Sequence, residues 1–151
     1  MKVRKDGVAA GGLTLSMREF EYDLGEDFDT ADITADVAAA VAASGVHTGT
    51  ATVFIPGATG AVTCLEYEPG VIADFRRAIE RLAPRDDHYD HNVRMDDGNG
   101  HSHVRAGLLG PSMAVPVVGG RLTLGTWQQI VLVNFDNRPR RRRVAVQIVG
   151  V

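Results

Sequence analysis

Leu13, Leu15 and Met17 are interleaved with Thr14, Ser16 and Arg18. That two-residue period predicts a half-buried strand running on through Phe20 and Tyr22. Over residues 30–44 the period lengthens: Ile33, Val37, Ala40 and Val41 share one helical face, and Thr30 or Asp32 is placed to cap the first amides. Gly45 stands where a left-handed cap would end that helix. Residues 49–55, rich in Thr and Val, and residues 61–67 read as strands on either side of a Pro56-Gly57 turn. Pro69 suits the first turn of a second helix, with Val71, Ile72, Phe75, Ile79 and Leu82 as its buried stripe, Arg76, Arg77, Glu80 and Arg81 facing away, and Pro84 as its end.

Periodicity then lapses. Residues 86–100 are crowded with Asp, His, Asn and Gly, and a polar stretch of that length in a small domain points to function. Beyond it, residues 113–118 form a short apolar strand, Gly119-Gly120 a hairpin turn, and residues 121–124 the return. Residues 127–135, opened by the only tryptophan, form a strongly apolar strand. A turn at Asp136-Asn-Arg-Pro139 leads to a last strand over residues 141–149. Two principal helices among seven or eight strands predict an α+β fold, with mixed but mainly antiparallel sheets in one domain over residues 13–151. Residues 1–12 are expected to be a flexible N-terminus.

With 151 residues the chain is long enough for one core without staples. A net charge of −3 gives it no overall attraction to nucleic acid or anionic membrane. No stretch reaches the roughly 18 apolar residues of a membrane span, and the charged start carries no signal-peptide pattern. One cysteine, Cys64, excludes an internal disulfide and fits a cytoplasmic setting, where it reads as a buried structural thiol.

Four of the five histidines, His88, His91, His101 and His103, fall within or just after the polar stretch. On an extended segment His101 and His103 would point to one side and could share a metal, with His91 arriving from the preceding loop. On a helix the two rings would diverge by roughly 200°, and only one could serve. Arg105 would share the face of His103 on a strand, and with Ser112 and the amides near Gly107 and Gly110 it offers a phosphate pocket. A cupin is excluded because no Glu follows the His-x-His pair over residues 104–109. Neither a nucleophile elbow, a phosphate-binding loop nor a dinucleotide fingerprint is present. The run Arg140–Arg143 lacks aromatic partners for nucleic acid; alternation sends two arginines to each face, where ion pairing with carboxylates is expected.

Tyr89-Asp-His91, Gly98-Asn-Gly-His-Ser-His103-Val-Arg105, Leu109-Gly-Pro-Ser112, Gly120-Arg-Leu-Thr-Leu-Gly-Thr-Trp-Gln128, Phe135-Asp and Pro139-Arg together resemble the YjbQ-like family. Some of its members are credited with secondary thiamine-phosphate synthase activity. The resemblance spans about Leu13 to Gly150. It implies a homotrimer, a small phosphorylated ligand, a divalent metal (zinc or magnesium), and Glu66, His91 and His103 as site residues. Arg105 falls where many members have Lys or Arg. The chain departs from the pattern at Gly57-Ala-Thr59, where many relatives carry His-x-Thr; His101 is the candidate to stand in. A non-catalytic metal- or ligand-binding trimer is the alternative reading.

Overall fold

The computed structural model describes residues 12–151. Apart from Gly12, the segment expected to be a flexible N-terminus lies outside them. Twelve elements follow in order: β1 (Thr14–Leu24), β2 (Asp29–Asp32), α1 (Thr34–Ser44), β3 (Thr48–Phe54), β4 (Gly60–Leu65), α2 (Pro69–Leu82), α3 (Asp90–Met95), α4 (Gly100–Leu109), β5 (Ser112–Val118), β6 (Arg121–Leu122), β7 (Gln129–Asn134) and β8 (Arg140–Gly150). They form a five-stranded sheet of order β1-β8-β3-β5-β6 and a three-stranded sheet of order β2-β7-β4. The α+β class is as expected. Every pairing among the described residues is antiparallel, so the sheets are not mixed.

Alternation along the strands explains the layering. Val144, Val146 and Ile148 of β8, with Ala51 and Val53 of β3 and Val115 and Val117 of β5, point to one side of the large sheet. There they meet α1 through Val37, Ala40 and Val41, and the small sheet through Val62, Ile130 and Leu132. The residues between them on the small sheet, Ala61, Val131 and Val133, face the other way, onto Phe135, Ile79 of α2 and Ala106 of α4. β7 is therefore buried on both faces and carries an unbroken apolar run. Side chains at facing Gly49 and Gly150 would collide with backbone, since a Cβ at Gly49 would lie 2.1 Å from the Val149 carbonyl oxygen.

Local differences from the sequence expectations have simple causes. The first helix starts four residues late, because residues 29–32 pair with β7 as an edge strand. Asp32 still takes the amide of Thr34 at 2.9 Å, and Gly45 closes the helix at φ 73°. Gly119 and Gly120 both have positive φ, as a two-residue hairpin of this kind requires. Leu82 is exposed rather than part of the stripe of α2. Trp127 lies in the turn before β7 and is 70% exposed. Cys64 is only half-buried, although burial still pushes its thiol pKa up. Among the described residues no helix is long and apolar enough to cross a membrane.

Candidate metal centre beside a glycine-lined cleft

The polar stretch contains the short helix α3, and residues 100–109 form α4 rather than a strand. Two residues on a helix turn the side chain by roughly 200°. His101 and His103 therefore do not share a site. His101 is fully buried, its Nε2 3.2 Å from Ser102 Oγ and 3.5 Å from Asp27 Oδ1, and its Nδ1 has no partner among the described residues. Burial, then the charges of Arg105 and Arg85, lower its pKa, so at neutral pH it is an uncharged core residue. It does not stand in as a metal ligand.

His103, on the opposite side of α4, meets His91 of α3 with ring centroids 4.4 Å apart. Asp97, from the turn between the helices, completes the group: its Oδ2 lies 3.3 Å from His91 Nε2. One ligand atom from each of His91, Asp97 and His103 falls within 4.8 Å of the others, all three half-buried. The spacing is produced by the α3–α4 corner. Asp96 ends α3 in a left-handed conformation, and Gly98 turns the chain back with φ 63°. The Gly100 amide donates to Asn92 Oδ1 at 2.7 Å, and the Asn99 amide to Asp97 Oδ1 at 3.1 Å. A Cβ at Gly100 would lie 2.5 Å from Tyr89 Cβ, so only glycine admits this approach of the two helices. The Asn99 amide, against some desolvation, together with His91 holds the Asp97 carboxyl below the usual carboxylate range, leaving it ionised and fit to ligate. His88 is exposed and near Asp90 instead.

Two imidazoles and one carboxylate are a donor set for zinc or a related transition ion; magnesium prefers oxygen throughout. His103 also borders a cleft of about 300 Å³, lined with Gly57, Ala58, Gly60, Ala106, Gly107 and Pro111. Three larger clefts, of about 400, 470 and 350 Å³, lie against Tyr22 and Asp36, against the outer side of α1, and against Arg76, Arg77 and Arg105; none is lined by this group.

The other expected site residues are not gathered here. Arg105 is nearly fully buried, its Nε donating to the Ala83 carbonyl at 2.9 Å and its Nη2 to Glu80. It ties α4 to the end of α2 and borders a separate cleft with Asp27, Arg76, Arg77 and Glu80, not the one that His103 borders. Ser112 opens β5 opposite Phe54, on the exposed side of the large sheet. Glu66 is exposed, one residue past the far end of β4. At about 3.3 Å per residue it stands roughly 20 Å from Gly60 at the cleft.

Sequence reasoning missed Asp97, although it sits six residues after His91 and six before His103. It also missed a buried polar network under the cleft. Arg142, in phase with the apolar residues of β8, donates through Nε to Asn134 Oδ1 at 3.0 Å and through Nη2 to Thr59 Oγ1 at 2.8 Å. Asp136, 1% exposed, accepts from Thr59 at 2.8 Å and from Arg140 Nε at 2.8 Å. Arg141 and Arg143 face the other way, beside Asp23 and Glu19.

The model of the family described as "UPF0047 protein YjbQ-like" matches residues 18–151. A UPF0047 protein of Methanothermobacter thermautotrophicus is 40% identical over 119 residues, 79% of this chain and 81% of its own. The UPF0047 protein YugU of Bacillus subtilis is 33% identical over 79% of this chain and 88% of its own. Among solved structures, a YbjQ-like protein of unknown function from Sulfolobus solfataricus superposes with a TM-score of 0.86 at 29% identity, covering 92% of this chain and 99% of that one. An uncharacterised YjbQ/UPF0047 protein from Clostridium acetobutylicum gives 0.79 at 37% identity, covering 86% and 98%.

Proposed function

The chain belongs to the YjbQ-like UPF0047 family, and from that premise we propose that it is a metal-site enzyme acting on a small phosphorylated or pyrophosphorylated molecule. The observation that carries this reading is the convergence of His91, Asp97 and His103 at the mouth of the cleft. These three residues would hold a divalent ion, zinc in preference to magnesium by the donors present. Such an ion supplies Lewis-acid charge to a phosphoryl oxygen when bound. The Asn99 amide fixes the orientation of Asp97, and the α3–α4 corner fixes the separation of the imidazoles. The narrower reaction that fits this class is the thiamine-phosphate synthase type, which joins an aminopyrimidine pyrophosphate to a thiazole phosphate and releases pyrophosphate. A role for Glu66 as general base requires that it come from a neighbouring copy, because it stands far from the cleft of its own chain.

The assembly belonging to this reading is a homotrimer. The outward face of the large sheet supports it: Met17 of β1, Phe54 of β3 and Val118 of β5 are each more than a third exposed there. Sedimentation of the wild type and of Phe54→Lys tests the assembly, and a wild type that sediments as a monomer sinks it.

Metal content per chain, measured on untagged protein and on His91→Ala, Asp97→Ala and His103→Ala, tests the site. Near-stoichiometric metal that each substitution abolishes, with folding retained, is the expected result. Protein that takes up no zinc, nickel or manganese overturns the metal mechanism. Stoichiometric metal without turnover of any phosphate or pyrophosphate ester would favour a non-catalytic binding module.

A further inference from the structure

Arg142 is in an unusual position for a buried cation. Its side chain is 8% exposed. Nε and Nη2 are engaged by Asn134 and Thr59, whereas Nη1 has no hydrogen-bond partner among the described residues. What lies over Nη1 is Gly57: a Cβ built there would be 3.1 Å from Nη1. Gly60 covers the rest of the guanidinium, its Cβ position lying 3.3 Å from Nε and 3.4 Å from Cζ. These two glycines are also walls of the cleft that His103 borders. Gly57 has φ 131°, a conformation side chains rarely adopt, so the backbone itself keeps this window bare.

Charge adds a second argument. The network beneath the cleft sets two guanidinium groups, Arg140 and Arg142, against the single carboxylate of Asp136. It carries one unit of excess positive charge, partly withdrawn from water, and a buried charge of that kind is stabilised by a counter-anion. Asn134 contributes an amide oxygen, which orients the guanidinium without neutralising it. Arg142 is thus preorganised, with its donor plane held by buried partners and one nitrogen left over.

We infer that Arg142 is the anion-binding group of this cleft, taking a phosphoryl oxygen of the ligand on Nη1 through the glycine window at Gly57 and Gly60. The inference rests on the reading of the cleft as the site of a phosphorylated substrate, and names the residue that recognises its phosphoryl group. It replaces Arg105 in that role. The phosphoryl group would lie between the guanidinium and the His91–Asp97–His103 corner, one end of the molecule held by a fixed cation and the other next to the candidate metal ligands.

The experiment is calorimetric titration of pyrophosphate, orthophosphate and acetate into metal-free protein. Wild type is expected to bind pyrophosphate, and acetate much more weakly. Arg142→Gln is expected to weaken pyrophosphate binding by about tenfold or more, the loss of one charge-assisted hydrogen bond. Gly57→Ala keeps Arg142 but covers Nη1, at the cost of strain at φ 131°, and should weaken binding similarly when compared at a temperature well below its melting point. Because the protein is metal-free throughout, the anion site is tested apart from the metal site. Failure of metal-free wild type to bind pyrophosphate, equal binding by acetate, or wild-type affinity in Arg142→Gln overturns the inference. Should Arg142→Gln fail to fold, Gly57→Ala decides by the same criterion, with thermal melting confirming that its fold is intact.

Discussion

Gly100→Ala probes how the α3–α4 corner builds the histidine pair without touching a ligand. A methyl group at this position would sit 2.5 Å from Tyr89 Cβ, 2.8 Å from Tyr89 Cγ and 2.9 Å from Asn92 Oδ1. Tyr89 cannot swing aside cheaply, because its hydroxyl donates to the Pro84 carbonyl at 2.7 Å and its backbone starts α3. Asn92 is held by the Gly100 amide itself. Overpacking of this kind costs about 1–3 kcal/mol, and three contacts below 3.0 Å place it in the upper part of that range. Alanine's helix preference over glycine offsets up to about 1 kcal/mol, less in the first turn. The net loss is then about 1–2 kcal/mol, a fall in Tm of roughly 2–8 °C for a domain of this size. Relief of the clash must move α3 away from α4 and carry His91 away from His103, so zinc affinity should fall by roughly 10–100-fold, as for loss of a ligand's supporting contact. Thermal melting and competitive zinc titration read both effects. A variant that melts with the wild type and binds zinc equally would refute the account of the corner.

Two further outcomes follow from buried charges. Burial alone would raise the Asp136 pKa, but hydrogen bonds from Arg140 and Thr59 and the nearby guanidinium charges bring it below the ordinary carboxylate value. The unfolded chain therefore binds the extra proton, and the stability this group contributes is complete above about pH 3.9 and lost as pH falls through the lower folded value. Asp136→Asn should melt lower than wild type at pH 7 and show a flatter acid limb below about pH 4; an unchanged acid limb would contradict the assignment. Arg105→Met leaves the buried Ala83 carbonyl without its donor and should cost about 1–3 kcal/mol in chemical denaturation, with zinc and pyrophosphate binding retained. Weakened pyrophosphate binding at full stability would instead restore Arg105 to the anion site.

The fold was legible wherever period and burial agree. β1, β5, β7 and β8 lie within a residue or two of their expected bounds, because alternation or a continuous apolar run admits one reading. The site was legible only in part. His-x-His supports opposite conclusions on a strand and a helix, and residues 101–109 carry too few apolar side chains for the period to decide. α3 escaped notice for the same reason: Val93 and Met95, its apolar members, are both exposed, so it has no buried stripe. Asp97 was hidden among neighbouring acids, and its even spacing between His91 and His103 gains meaning only once a helical corner folds the three together. Arg142 was masked by its three arginine neighbours. The signal was its phase, since two-residue alternation from Val144, Val146 and Ile148 puts residue 142 on the inward face.

That inward arginine and the histidine corner are separate in sequence, yet four consecutive residues at the end of β7 hold both. Asn134 and Asp136 point to the network beneath the cleft, where they accept from Arg142 and from Thr59 and Arg140. Phe135 and Asn137 serve the other side: the Phe135 carbonyl accepts from Ser102 Oγ at 2.6 Å, and Asn137 Nδ2 donates to the Asp97 carbonyl at 2.8 Å. The Asn137 amide also reaches Asn99 Oδ1 at 3.1 Å. Asn134 ends β7 and residues 135–137 form the turn after it, so one short segment braces a cation on one side and a ligand-bearing turn on the other. β7, from which this segment leaves, is buried on both faces. The distance between the anion group and the histidines is thereby set by the core, and ligand specificity in this cleft should respond to substitutions at residues 134–137 that touch no ligand at all.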